Sequence, residues 1–237
     1  MPSSSKEGNV DVSGKGYRFR FLHESNMRRL LVDMEGFHKG RSFHCDILLE
    51  ETTDDTLVIA TPFRKAGHFY YNQKINCLKA HGYARVGEAS YDFNEGSYGV
   101  LDWGRGVWTY RNTWYWSSLS SQSGEHVVGW NLGYGFGDTT NASENMLYLD
   151  GKAFKIGDVR MNIPLKGAGR FDFLKPWQIK DYDDVVNIVF TPIYDRHSDT
   201  NLLFLRSNQH QVFGTFSGYF RFAEQKIKID NLMGFAE

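Results

Sequence analysis

Apolar and polar residues alternate along most of the chain, which is the pattern of half-buried β-strands. Residues 17–21 alternate aromatic with basic side chains, and residues 28–34 and 42–50 again place apolar side chains on one face. The pattern predicts about a dozen short strands with turns between them, and Asp150-Gly151 is the clearest hairpin turn. Long amphipathic helices are not predicted, because the 3.6-residue period is missing. The chain is therefore expected to be all-β, as a barrel or a sandwich.

Residues 98–116 contain the densest group of candidate functional side chains, including four of the six tryptophans. We predict a loop or bulge at residues 101–106, where two glycines flank an arginine. Alternation from residue 107 onward would place Trp114 and Trp116 on one face of a strand. Asp102 is open to three interpretations: a structural latch with Arg105 or Arg111, a ligand contact, or an acid. A carboxylate beside guanidinium groups stays ionised, whereas one packed against tryptophan is shifted toward the neutral, proton-donating form.

Residues 129–138 predict an unusual strand with aromatic and aliphatic side chains on one face and mostly glycines on the other. Asn131 is the polar residue of the glycine face. Such a face either lets the sheet bend sharply or leaves volume for a ligand. The glycines do not resemble a phosphate loop, because no helix is predicted after them.

Four further polar residues are candidates for the site. Lys74 and Asn76 project from a strand predicted at residues 67–78, although a lysine there would ordinarily extend to solvent. Glu144 flanks a loop, where capping a turn is its simplest role. His210 is more simply a hydrogen-bonded structural residue, but it would be a candidate base if it faced Asp102.

Composition and charge exclude several function classes. The 237 residues carry a net charge of −1, which gives no electrostatic argument for a nucleic-acid partner. Cys45 and Cys77 are far apart and predict free thiols in a reducing compartment, so we expect a cytoplasmic protein. Neither a signal peptide nor an apolar run of about 20 residues is found, so no transmembrane segment is predicted. Metal-ligand and hydrolase motifs are also missing, so we predict no metal and no cofactor. Oligomeric state is left open.

Several motifs in order along the chain resemble one family. They are residues 74–78, residues 101–108 leading to Trp116, residues 129–133, Glu144-Asn145, residues 201–214 and residues 234–237. With these motifs the chain resembles the uncharacterised domain-of-unknown-function family numbered two thousand eight hundred and four. Members of that family are usually longer, so we expect this chain to lack an N-terminal portion and the last few residues.

A more distant resemblance involves Asp102-x-Gly104 and Trp114-x-Trp116. This layout is similar to the carotenoid hydratase and hydroxyneurosporene synthase group and to lipocalin-like cyclases. The resemblance implies two lipocalin-like (calycin-type) antiparallel β-barrels that hold a hydrophobic small molecule in or between them. It also implies that Asp102 is the acid, that Trp114 and Trp116 form the pocket wall, and that Asn131 is a polar anchor.

From the pattern and the resemblance together we expect a disordered segment at residues 1–16. Residues 17–82 would contribute strands of a first β domain, either complete or lacking some strands, and residues 83–237 a lipocalin-like barrel. The expected function is binding of an apolar small molecule, with hydratase- or cyclase-type lyase or isomerase activity through Asp102. A non-catalytic carrier and a carbohydrate-binding or carbohydrate-active protein are the alternatives. The remaining predicted ligand-binding residues are Lys74, Asn76, Trp103, Arg105, Tyr110, Arg111, Trp114, Trp116, Asn131 and Glu144.

Overall fold

The structure, a computed structural model, describes residue 2 and residues 4–202, 205–223 and 225–237, without the side chain of residue 205. The described chain is built almost entirely from antiparallel strands, which form two large sheets and one two-stranded ribbon. The predicted all-β, antiparallel fold class is therefore confirmed. The part of the chain described here includes no helix with the length and apolar character needed to span a membrane.

The first sheet has eight strands, in the order β1-β2-β3-β4-β6-β5, with β7 and β8 also paired to β6. Its strands are β1 (Val10–Gly14), β2 (Tyr17–Glu24), β3 (Met27–His38), β4 (Arg41–Glu50), β5 (Leu57–Pro62), β6 (Phe69–Val86), β7 (Ala89–Phe93) and β8 (Tyr98–Val107). The prediction that residues 1–16 are disordered is wrong for residues 10–14. They form β1 because alternating valines pair with aromatic residues of β2, as in Val12 opposite Phe19.

The second sheet has nine strands, in the order β12-β11-β10-β9-β19-β18-β17-β16-β13. Its strands, with the separate ribbon β14–β15, are β9 (Tyr115–Ser123), β10 (His126–Tyr134), β11 (Met146–Leu149), β12 (Lys152–Lys155), β13 (Val159–Asn162), β14 (Leu165–Lys166), β15 (Arg170–Phe171), β16 (Trp177–Asp181), β17 (Val186–Leu202), β18 (Leu205–Phe222) and β19 (Gln225–Ala236). A short 3-10 turn at Gly167–Gly169 joins β14 to β15. The first sheet thus continues to Val107, beyond the boundary expected near residue 82, because β7 and β8 both pair with β6. The division into two domains stays a prediction.

Strand β6 connects the two sheets. Its first half pairs with β5 and β8 and its second half with β4 and β7, and the register shifts between Ile75 and Leu78. At this bulge the fully buried Asn76 amide donates to the backbone oxygens of Trp130 at 2.9 Å and Leu119 at 3.2 Å. Because these acceptors lie on β10 and β9, the bulge fixes the first sheet against the second.

The larger hydrophobic core lies on the inner face of the second sheet. Trp130, Trp177, Phe190, Phe216 and Phe220 are all fully buried there. Burial of each such side chain contributes roughly 1.5–3 kcal/mol, so this core contributes much of the hydrophobic stabilisation of the fold. A smaller cluster around Leu49, Ile75 and Leu78 packs the first sheet.

Two local predictions around the central stretch are wrong. Residues 101–106 do not form a loop but lie within β8, where the glycines permit close packing: a Cβ added at Gly104 would lie 2.5 Å from the Tyr70 ring. The next strand begins at Tyr115 rather than near residue 107, and residues 108–114 form a connection between the sheets. The hairpin at Asp150-Gly151 is confirmed, and both residues have the positive φ of its turn.

Candidate functional site

A cavity of about 790 Å³ lies where β6 and β8 of the first sheet meet β9 and β10 of the second. Its walls are completed by residues 108–114, by the segment after β10 and by the beginning of β18, residues 206–209. Aromatic side chains form much of this wall: Trp108, Trp114, Tyr115, Trp116, Tyr134 and Phe136. A volume of this size suits a small organic molecule.

One buried lysine and two carboxylates form the polar floor of the cavity. Lys74 Nζ lies 2.9 Å from Glu144 Oε2 and 3.7 Å from Asp102 Oδ2. The same ammonium lies 4.1 Å from the ring centroid of Trp116, which is a cation–π distance. Lys74 is only 4 % exposed, so its charge is compensated by these neighbours rather than by solvent.

The pairing of β6 with β8 explains why these groups meet. Lys74 stands directly opposite Asp102 in the antiparallel register, so both side chains leave the sheet on the same face. Tyr70 and Asn72 precede Lys74 at alternate positions on that face. The Asn72 amide donates to the Tyr70 hydroxyl at 3.1 Å and lies 3.4 Å from Glu144 Oε1. A polar row along two strands is thereby aimed into an aromatic cavity.

The surroundings of Asp102 shift the pKa of its carboxyl group upward. Burial raises the pKa of Asp102 above the ordinary 3.8, Lys74 opposes this rise, and the negative charges of Glu144 and Glu237 add to it. Its side chain is 33 % exposed, and this exposed surface faces the cavity that it lines. Arg105 lies on the opposite face of β8, Arg111 is exposed in the connection between β8 and β9, and the nearest cation to Asp102 in the described ion pairs is Lys74. The latch with either arginine stays a hypothesis. The direction of this shift is toward the neutral acid, and its largest cause is burial of the carboxyl group.

The tryptophans of the wall are held in place by side-chain hydrogen bonds. Trp116 donates through Nε1 to Asn131 Oδ1 at 2.6 Å, and the Asn131 amide donates to the backbone oxygen of Glu144 at 2.7 Å. Trp114 donates through Nε1 to Glu237 Oε2 at 3.0 Å. Phe136 lies edge-on to the Trp114 ring at 6.0 Å and to the Tyr70 ring at 5.0 Å. The ring faces are therefore fixed before any ligand binds.

The structure brings six of the predicted residues to the cavity wall: Lys74, Asp102, Tyr110, Trp114, Trp116 and Glu144. Asn131 supports the wall from behind through Trp116, and Asn76 joins the sheets at the bulge. Trp103 packs edge-on against Tyr71 on the other face of β8. Two glycines of the glycine face of β10 lie in different surroundings. Gly133 lines the cavity, whereas Gly129 leaves room for the Cys77 thiol of β6.

His210 lies in a different cluster. Its Nδ1 is 2.8 Å from Asp195, and its ring stacks between Phe173 at 3.9 Å and His197 at 4.1 Å. This pairing fits the structural role and not a base facing Asp102. Within the described residues, no group of three or more His, Cys, Asp or Glu side chains is arranged to hold a metal ion.

Several wall residues were missed from the sequence. Tyr70 belongs to the alternating Tyr70-x-Asn72-x-Lys74 row, a detectable signal because alternate strand residues share a face. Glu237 and the segment at residues 206–209 also line the cavity, but they lie more than 90 residues along the chain from Asp102 and no local pattern links them to it. Their position depends on long-range strand pairing.

The crystal structure of kievitone hydratase from Nectria haematococca is similar to 93 % of this chain and 82 % of that chain, with 12 % identity and a TM-score of 0.51. At this identity the likeness concerns the fold alone. A search among curated proteins found no match.

A family model described as "Domain of unknown function (DUF2804)" matches residues 1–237. The match spans all the motifs that carried the resemblance, from residue 74 to residue 237. The hydratase fold is also consistent with the more distant resemblance to a hydratase group. The chain belongs to the DUF2804 family of domains of unknown function.

Proposed function

We propose that the cavity binds an apolar small molecule and that Asp102 protonates it, in a reaction of the lyase or isomerase type. The observation that supports this most directly is the position of Asp102 in an aromatic cavity, with its pKa raised by burial. A protonated carboxyl group in such surroundings is a general acid. The structurally similar kievitone hydratase is, by its name, a hydratase, which is the same class of chemistry.

Protonation of a carbon–carbon double bond creates a carbocation, which needs stabilisation without nucleophilic capture by the protein. Indole and phenyl faces supply this stabilisation through their negative ring centres. Trp114, Trp116 and Phe136 are aromatic residues that line the cavity. Lys74 compensates the nearby charge of Glu144 at 2.9 Å, so that Asp102 is the carboxyl group of the floor available to hold a proton. Water addition, cyclisation and double-bond migration all begin with this step.

The proposal is tested first on binding and then on chemistry. Native mass spectrometry of gently purified protein, followed by solvent extraction, would identify any co-purifying molecule. Thermal-shift panels of isoprenoids and fatty acids would show which class stabilises the fold. Conversion of each binder is then measured for the wild type, for Asp102→Asn and for the matched control Asp92→Asn, an exposed position on β7. We expect Asp102→Asn to lower turnover about 10²–10⁴-fold and Asp92→Asn to leave it unchanged.

The same experiment separates the proposal from its rivals. A carrier would bind the apolar panel equally well with Asp102→Asn and convert nothing. A carbohydrate-active protein is favoured by one observation: Asp102, Glu144 and Glu237 all line the cavity, and exposed Trp108 and Tyr110 stand at its wall as in a sugar platform. Stabilisation by an oligosaccharide panel, with none by the apolar panel, would refute the apolar-ligand proposal.

A further inference from the structure

Glu237 is a carboxylate of the cavity wall that reaches the cavity from the second sheet. It follows β19, and its backbone is bonded to Trp116 in both directions: N–H to O at 2.6 Å, and O from N–H at 3.1 Å. Asp102 reaches the same cavity from β8 of the first sheet. Two carboxyl groups, one from each sheet, therefore line one cavity.

The side-chain contacts of Glu237 differ in kind from those of Glu144. Each Glu237 oxygen accepts one hydrogen bond from a neutral donor: Oε2 from Trp114 Nε1 at 3.0 Å and Oε1 from Gln211 Nε2 at 2.9 Å. A carboxylate oxygen has room for two such bonds, so each oxygen keeps an acceptor position. Glu144, by contrast, is held by the ammonium of Lys74. Glu237 therefore has acceptor positions left for the O–H groups of a water molecule, whereas Glu144 is occupied by an ion pair.

We infer that Glu237 is the general base that positions and deprotonates a water molecule in this cavity, and that the reaction is hydration of an alkene to an alcohol. This inference rests on the proposed function, because it needs Asp102 as the acid. It goes further by naming the second catalytic residue and by selecting water addition over isomerisation. The two groups line the same cavity from different sheets.

The step balances without any additional reactant. The π electrons of the alkene take the proton of Asp102, which forms a C–H bond and leaves an aspartate and a carbocation. The oxygen of water then bonds to the cationic carbon while its proton passes to Glu237. The proton returns from Glu237 to Asp102 through cavity water, so that alkene and water are converted into an alcohol with no oxidant or reductant.

The test uses geraniol and farnesol, whose trisubstituted double bonds give tertiary carbocations, as the probes. Wild type, Asp102→Asn and Glu237→Gln are incubated with each probe in 18O-labelled water and, separately, in deuterium oxide. We expect wild type to incorporate both isotopes. Glu237→Gln is expected to lose 18O incorporation about 10²–10⁴-fold while the carbocation still forms and returns a proton, so that deuterium enters the alkene. Asp102→Asn should lose both.

The unfolding midpoints of all three proteins show whether each variant folds. If Glu237→Gln does not fold, Glu237→Ala is used in its place. In Glu237→Ala, formate at high concentration should restore part of the 18O incorporation, which a purely structural role would not allow. Equal 18O incorporation by wild type and Glu237→Gln would overturn the inference and leave Asp102 as the acid. Deuterium incorporation by wild type without any 18O would also overturn the inference and leave Asp102 as the acid, because it would show that the alkene is isomerised and not hydrated. Neither isotope entering any probe that binds to wild type would overturn both proposals.

Discussion

Replacement of Lys74 by methionine is the most direct test of the charge arrangement in the cavity floor. The substitution keeps a long side chain and removes the only cation that the structure places within ion-pair distance of Glu144 and Asp102 among the described residues. Loss of one partner from a fully buried pair costs about 3–5 kcal/mol. Here the Glu144 and Asp102 side chains are 16 % and 33 % exposed, so water partly solvates the remaining charges.

This partial exposure lowers the expected cost to roughly 2–3 kcal/mol. In a chain of this length 1 kcal/mol corresponds to about 2–4 °C, so the unfolding midpoint should fall by roughly 4–12 °C. Lys152→Met is a matched control, because Lys152 pairs with Asp54 at 2.8 Å but both side chains are more than half exposed. An exposed pair contributes about 0–1 kcal/mol, so the control should lose far less stability.

The pH dependence of the Lys74→Met variant tests the cause of this loss. Lys74 lowers the pKa of Asp102, so its removal raises that pKa further above 3.8. An acid whose folded-state pKa exceeds its unfolded-state pKa destabilises the fold above both values, and the penalty disappears as the pH falls through the folded-state pKa. The deficit, measured by urea unfolding, should therefore be full near about pH 7 and smaller near about pH 4. A deficit that is independent of pH, or no larger than that of Lys152→Met, would refute this reasoning.

Three further predictions concern the same site and its support. Asp102→Asn should lower turnover about 10²–10⁴-fold yet be at least as stable as wild type near neutral pH, because it removes an acid whose pKa is raised in the folded protein. The free energies of unfolding of the two proteins, measured in urea, should converge as the pH falls toward 3.8. Asn76→Ala should cost roughly 1–3 kcal/mol in chemical denaturation, because it leaves two buried backbone oxygens on β9 and β10 without their donor. Gly129→Ala should cost about 1–3 kcal/mol in the same assay, since the new Cβ would lie 2.6 Å from the Cys77 thiol, whereas Gly167→Ala, with open space around it, should be neutral.

Local patterns in the sequence were sufficient for the fold class and for part of the site. Period-two alternation identified strands because a strand places successive side chains on opposite faces, and this holds wherever the strand finally pairs. The turn at Asp150-Gly151 was also predictable, since its chemistry depends only on two adjacent residues. Asp102, Lys74, Trp114, Trp116 and Glu144 were identified as polar or aromatic residues at unusual positions, and all five line the cavity.

The relations among those residues could not be predicted from local patterns. That Lys74 stands opposite Asp102 depends on the register between β6 and β8, and its contact with Glu144 depends on how the two sheets meet at the β6 bulge. The prediction of a loop at residues 101–106 was wrong because local patterns do not show strand pairing. Gly104 allows close packing against Tyr70 and does not form a turn. Glu237 shows the limit most clearly, because it joins the site only through pairing with Trp116, over a hundred residues earlier. The sequence by itself determined the strands, the turns and the candidate side chains. Only long-range strand pairing decided which of those side chains share one cavity and which charged groups lie next to each of them.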